Sequence, residues 1–310
     1  MAARQEEFPA VARQRVRRAL RRARQATPMS QGAVASRLGW SLSKMQRIEG
    51  GEVGVSVTDL RALLDVYGVV EPERIERLAE DARISRRQRW VTAPEYREHL
   101  TPGLRDLMQF ETEAVAIRAY QPVFYPGVLQ TSAVAESILA WWNKSLSDED
   151  RRVRYEVRMM RSQQIVERDD GPDYLLILDE SVIKRRIGGA KTTAEQLEII
   201  ADVARRPNVH IRVVPFAKGA YIGALGPFQI LDLSDEDDDD AVLYRETYDR
   251  DEVVYDLNEV RFHREAFESL WEVSLNEEDT LRVIIAEAAD LRSSLDDDQA
   301  ADGSDLAGRP

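Results

Sequence analysis

The chain has no cysteine, which rules out disulfides and thiolate metal sites. Its only histidines, His99, His210 and His263, are far apart in sequence, which argues against a histidine-rich metal centre. No stretch approaches the roughly 18 consecutive apolar residues of a membrane span, and the region after Met1 lacks the apolar core of a signal peptide. These absences point to a cytoplasmic chain with no membrane partner, and no cofactor is implied. At 310 residues the chain is long enough for two domains with separate cores.

The formal net charge is −13, yet its sign is divided along the chain. Residues 1–92 hold 18 Lys and Arg against 11 Asp and Glu; the remainder holds 25 against 45. A basic head on an acidic body is the asymmetry of a nucleic-acid-binding unit joined to something else. The acidic body also discourages DNA from wrapping the whole molecule.

The most informative stretch is Ser30–Gly50, which reads as two short helices meeting at a sharp turn. Val34 and Leu38 face inward from the first, with Ala35 as a small neighbour. Gly39 stands where a helix ends by swinging to positive φ, which glycine does without a Cβ clash. Ser41 is a good N-cap for the second helix, from which Met45 and Ile48 point back toward the first. The outward positions are Ser43, Lys44, Gln46 and Arg47. Buried face, glycine turn, cap and polar outer face describe a helix-turn-helix whose second helix enters the DNA major groove. An αα-hairpin in an ordinary bundle is the competing reading of the same pattern.

The segment resembles the phage-repressor and Cro class of helix-turn-helix, the XRE type. The matching residues are Gln31, Leu38-Gly39, and Ile48-Glu49 with Gly51. That resemblance implies that Gln31 grips a phosphate and that Glu49 pairs with an arginine of the preceding helix, Arg24. Base reading falls to Leu42, Ser43, Gln46 and Arg47. Arg47 suits guanine O6 and N7, and Gln46 suits adenine. Leu42 occupies a position usually polar in the class, where it either touches a thymine methyl or packs on the domain. Gln31, Ser41 and Lys44 are assigned to phosphates, which position the head without reading sequence.

Around this motif, residues 12–25 form a helix with Val16, Leu20 and Ala23 on one side and seven arginines on the rest. An arginine run is ordinarily a solvated face, but here part of it is expected to lie along phosphates. The loop Gly50–Ser56 carries no Lys or Arg. Helices over Thr58–Tyr67 and from Pro72 complete a five-helix head, and the basic stretch Arg83–Trp90 leads out of it.

The second part mixes helices and strands. Helix is expected from Pro102, over Val128–Trp142, Asp148–Asp169, Thr193–Ala204, Glu252–Trp271 and Asp279–Leu295. Extended segments are Ala116–Phe124, Tyr174–Leu178, Val209–Val214, Phe228–Leu233 and Ala241–Glu246. Tyr174–Val214 reads as one βαβ-like unit, consistent with a parallel pair. The expected fold is therefore multi-domain. An all-α helix-turn-helix head spans 1–92, a mixed α/β domain for ligand sensing, partner binding or dimerisation spans 93–290, and an acidic disordered tail spans 291–310.

Other chemistry is weak. Arg185–Thr193 has the flavour of a phosphate loop, but Ala190 stands between glycine and lysine, and Thr193 reads as an N-cap. The run Asp235–Asp240 lacks the spacing of a calcium loop and reads as a solvated hairpin tip. Asp179-Glu180 has no histidine or nucleophile beside it to make an acid/base site. The three histidines take structural roles, and Trp141, Trp142 and Trp271 belong to core or interface. No catalytic constellation emerges, and an enzyme domain on a repressor head would need a bound nucleotide or metal.

The span from about Phe110 to Leu295 resembles the C-terminal domain of actinobacterial WhiJ-like regulators, also described as antitoxin-like. The matching pieces include Tyr120-Gln121-Pro122, Pro126-Gly127-Val128-Leu129-Gln130-Thr131, Leu178-Asp179-Glu180, Gly188-Gly189, Gln196-Leu197, Pro207-Asn208-Val209, Val214-Pro215-Phe216, Gly226-Pro227-Phe228 and Tyr244-Arg245-Glu246. The resemblance implies a regulator of development or secondary metabolism working with a small acidic partner protein. The reading is thus a sequence-specific regulator, a homodimer on a double-stranded DNA operator, with a partner protein or an unknown small-molecule effector. The alternative is an antitoxin-like component that sequesters a small partner and autoregulates its operon.

Overall fold

The structure, a computed structural model, describes residues 8–50, 53–86, 98–142, 147–168, 171–219, 225–235, 237–246 and 250–306. Gly51, half of the basic stretch Arg83–Trp90, the last four residues, and the side chains of Trp141 and Trp142 lie outside the described ones.

An N-terminal all-α bundle is followed by a mixed α/β domain. The bundle comprises α1 (Pro9–Gln25), α2 (Gln31–Leu38), α3 (Leu42–Glu49), α4 (Val57–Val66) and α5 (Pro72–Ser85). Its core gathers Val16 and Leu20 from α1, Val34 and Ala35 from α2, Met45 and Ile48 from α3, and Leu60, Leu63 and Leu64 from α4. Three serines, Ser30, Ser41 and Ser56, start α2, α3 and α4 by accepting a bond from the backbone N–H three residues on.

The second domain begins with α6 (Pro102–Glu113) and holds β1 (Ala116–Gln121), α7 (Ser132–Trp142), α8 (Asp148–Ile165), β2 (Asp173–Asp179), α9 (Glu180–Lys184) and α10 (Ala190–Val203). It continues with β3 (Val209–Val214), β4 (Phe228–Asp232), β5 (Ala241–Glu246), β6 (Asp251–Val254), α11 (Leu257–Val273) and α12 (Glu277–Leu306). The six strands form one sheet in the order β3-β2-β1-β4-β5-β6. β1, β2 and β3 are parallel, each joined to the next through helices, while β4, β5 and β6 run antiparallel to their neighbours. Alternation along the strands divides the core. Ile117, Leu176, Ile211, Leu231 and Val242 face α10 and α12, whereas Tyr120, Ile177, Ile230 and Leu243 face α11.

Four expectations are corrected. Helix was expected from Glu252, but Asp251–Val254 pairs with β5 as an edge strand, and α11 starts only after Asp256, whose carboxylate caps Asn258 N at 2.8 Å. Thr193 is not an N-cap: Gly189, at φ 93°, precedes α10, and Thr193 lies buried inside the helix. The helix expected from Val128 begins at Ser132, after a 3₁₀ turn over Gly127–Leu129. The disordered tail expected over 291–310 is replaced, as far as Leu306, by the continuation of α12. Ile284, Ala288 and Leu291, all buried on one side of the helix, anchor α12 as far as the start of that span.

α1 belongs to both cores. Val16, Leu20 and Ala23 pack in the bundle, while Ala10 and Val11 are buried with Leu107, Phe110 and Ile117 of the second domain. Gln109 Oε1 accepts from Ala10 N at 3.0 Å across that junction.

Candidate nucleic-acid interface

The turn between α2 and α3 follows from its residues. Gly39 adopts φ 68°, ψ 28°, which lets Trp40 N reach Ala35 O at 2.8 Å and closes the end of α2. Ser41 Oγ then accepts from Lys44 N at 3.1 Å and opens α3. Met45 and Ile48 lock α3 to the bundle; fully burying one such side chain is worth about 1.5–3 kcal/mol. Once those two positions are fixed inward, the helical period turns Leu42, Ser43, Gln46 and Arg47 outward, and all four are exposed. Leu42 is 47% exposed, which leaves a large apolar side chain open to a partner.

The residues assigned to phosphates are engaged within the protein, each with donor capacity to spare. Gln31 Nε2 donates to Glu49 Oε2 at 2.7 Å, which uses one of its two amide hydrogens. Ser41 accepts through its oxygen and keeps its hydroxyl proton for another acceptor. Lys44 Nζ lies 3.1 Å from Asp59 Oδ2 and 3.7 Å from the centre of the Trp40 ring. Asp59 and Trp40 went unnoticed in the sequence as partners of Lys44, since nothing local marks them.

Behind the exposed face, Arg24 Nε and Nη2 donate to the two carboxylate oxygens of Glu49 at 2.7 and 3.0 Å. That hydrogen bonding raises Arg24 above the ordinary arginine value. A second arginine, Arg17, reaches the same helix end: its Nε donates to Glu49 O at 2.7 Å. Its Nη1 donates to Gln14 Oε1 at 2.8 Å, its Nη2 to Tyr255 O, and its guanidinium lies 5.2 Å from the Tyr255 ring centre. Burial brings Arg17 down to about 10. A cation at the C-terminus of α3 also complements the helix dipole. Tyr255 lies just beyond β6, so Arg17 joins the second domain to the end of α3.

The rest of the arginine run narrows an expectation. Arg18 pairs with Asp237 and Asp240, Arg22 with Asp237, Arg13 with Asp106 at 3.7 Å, and Arg15 with both Asp81 of α5 at 3.5 Å and Glu113 at 3.6 Å. Arg13, Arg18 and Arg22 thus meet carboxylates of the acidic body, and Arg15 is shared between body and bundle. The acidic run is accordingly no solvated tip. Asp239 also receives Arg261 through two hydrogen bonds at 3.0 and 2.6 Å. Opposite charges brought together by the fold outcompete solvent on both sides.

The discounted motifs settle into structural roles. Asp179 caps α9 through Ser181 N at 2.8 Å, and Glu180 Oε2 accepts from Phe216 N at 2.7 Å. His99 Nδ1 lies 2.7 Å from Asp150, His210 lies 3.4 Å from Glu277, and His263 is buried edge-on against Phe228. Trp271 stacks on Phe267 and receives Arg212 over its ring. Among the described residues no group of three or more His, Asp or Glu could hold a metal ion, and no helix is long and apolar enough to cross a membrane.

Two family models match the chain. One, described as a helix-turn-helix domain, covers residues 15–78; the other, described as a domain of unknown function (DUF5753), covers residues 104–286. This pairing is characteristic of WhiJ-like XRE-type regulators. No curated protein and no solved structure matches the chain.

Proposed function

We propose that this chain, which belongs to the DUF5753 family and carries a helix-turn-helix domain ahead of it, regulates transcription by reading an operator with α3. The observation that carries the reading is the exposed quartet Leu42, Ser43, Gln46 and Arg47 on a helix whose opposite side is buried. Arg47 and Gln46 have the donor and acceptor geometry for guanine and adenine edges, and Leu42 is placed to meet a thymine methyl. Gln31, Ser41 and Lys44 would hold phosphates; for Lys44 this means leaving Asp59, an exchange of one anion for another.

The division of labour is a head of residues 1–92 that reads DNA and a body of residues 93–290 that dimerises and receives a signal. The protein acts in the cytoplasm as a homodimer, without catalysis. Its likeness to WhiJ-like regulators supports a role in development or secondary metabolism beside a small acidic partner protein.

The test is genome-wide binding of the tagged protein, repeated with Arg47→Ala, followed by titrations on the operator so found. Arg47→Ala should cost roughly 1–3 kcal/mol on the operator and relax one base position. Equal loss on operator and random DNA would contradict base reading. Lys44→Ala should weaken both DNAs alike and flatten the salt dependence; an unchanged salt slope would remove Lys44 from the phosphate contacts.

A further inference from the structure

At one end of the sheet, where β1 and β5 finish and β4 and β6 begin, a cavity of about 430 Å³ opens between the strands and α8. This is also where the sheet changes from parallel to antiparallel pairing, at β1. In open α/β sheets such a change of connection leaves a crevice that ligands occupy. The size falls within the range of small-molecule sites. Leu104, Leu107, Phe124, Ile138 and Val157 give it apolar walls.

One wall is cationic. Arg154, Arg158 and Arg161 recur at helical spacing along α8 and all line the space. Arg161 is neutralised, because its Nε and Nη2 donate to Glu111 at 2.8 and 2.6 Å. Arg154 and Arg158 form no ion pair with a described residue, and Arg154 Nε is buried without a hydrogen-bond partner. Arg158 has only a long 3.4 Å bond, from Nη1 to Arg154 O. Desolvation in this enclosure brings Arg158 down to about 10. Two further polar atoms of lining residues, Tyr125 Oη and Gln130 Oε1, are likewise buried and unsatisfied. Asp251 is taken up by Thr101 Oγ1 at 2.5 Å and Tyr244 Oη at 3.1 Å. Glu246 attracts Arg158 and Arg154 through space but forms no ion pair with either, and desolvation outweighs that attraction in pushing its carboxyl up. Buried polar groups are costly unless paired, so three unsatisfied atoms among the residues lining one cavity, beside the weakly bonded Arg158, describe a site shaped for something else.

We propose that this cavity binds a small organic anion, with a carboxylate or phosphate head on Arg154 and Arg158 and an apolar body against Leu104, Phe124 and Ile138. Occupancy is transmitted to α3. Asp251 at the cavity begins β6, Tyr255 follows its end, and Arg17 ties Tyr255 O to Glu49 O. This second step rests on the reading of α3 as the DNA-binding helix.

The experiment uses the full chain, with 3-phenylpropionate and phenyl phosphate as anionic probes and neutral 3-phenylpropanol as control. Calorimetry should show both anions binding, and the alcohol at least tenfold more weakly. Arg154→Gln/Arg158→Gln should abolish the difference. Arg158→Lys, which keeps the charge and loses the planar fork, should weaken anion binding without abolishing it and guards against misfolding of the double variant. Absence of anion binding, equal binding of the alcohol, or binding indifferent to these substitutions overturns the site. Affinity for operator DNA should shift at least fivefold with bound anion. A chain that binds anions through these arginines but binds no DNA would refute the α3 reading and leave the site standing. DNA affinity unmoved by a bound anion would refute the coupling.

Discussion

Replacing Arg24 by methionine should damage the head far more than replacing Glu49 by glutamine, although both break the same ion pair. The pair is lopsided: the Arg24 side chain is 16% exposed and the Glu49 side chain 3%. Arg24→Met leaves a buried carboxylate whose only remaining side-chain donor among the described residues is Gln31 Nε2, at 2.7 Å. Removing one partner from a buried pair costs about 3–5 kcal/mol, because the other charge stays behind unpaired. Glu49→Gln instead strands a guanidinium that still bonds Met29 O at 3.3 Å and can turn toward water. The loss there is that of charge-assisted hydrogen bonds, about 1–3 kcal/mol. Native-state hydrogen exchange of the α3 amides reads both. Arg24→Met should speed exchange by about two to three and a half orders of magnitude, and Glu49→Gln by at most about two. The double replacement Arg24→Met/Glu49→Leu, which removes both charges, should recover part of the loss. Equal costs for the two single variants, or a milder Arg24→Met, would refute the argument from unequal burial.

Gly39→Ala should destabilise the head by about 1–2 kcal/mol through backbone strain alone, since φ is 68° and no atom lies within 4 Å of the added Cβ. Gly39→Asn should recover part of that, as asparagine tolerates this conformation; thermal melts of the two variants compare them. At the start of α8, hydrogen bonds from Ser147 and His99 hold Asp150 down at about 2, against an ordinary 3.8. A depressed carboxylate stabilises above its unfolded value and loses that contribution as pH falls. Helix α8 should therefore loosen at its N-terminus between about pH 4 and pH 2, and Asp150→Asn should remove that pH dependence. Exchange rates of the first-turn amides would show it.

What could be read from the sequence was what local chemistry decides. Gly39 and Ser41 set the turn by bonds between residues three to five positions apart, and Met45 with Ile48 fixed which side of α3 faces in. The parallel β2–β3 pair was suggested for the same reason, by two apolar runs flanking a helix. What escaped depended on distant partners. Asp251–Val254 is a strand because β5 offers it an open edge, a fact absent from its own four residues. Which arginines of α1 are free for phosphates could not be read, because Asp237 and Asp240, more than two hundred positions away, gave no hint of facing Arg18 and Arg22. The cationic wall of α8 was invisible for a related cause: Arg154, Arg158 and Arg161 sit among other charges, and only the fold separates the paired one from the two left over.

Because α1 is sunk at one end in the second domain and at the other in the bundle, cutting the chain near residue 92 would not liberate a clean head. The fragment would carry a naked apolar stub at Ala10 and Val11, and arginines 13, 18 and 22 stripped of their counterions. Such a fragment would adhere to nucleic acid of any sequence more readily than the parent does. In the intact protein, selectivity is therefore partly a property of the part that never touches a base.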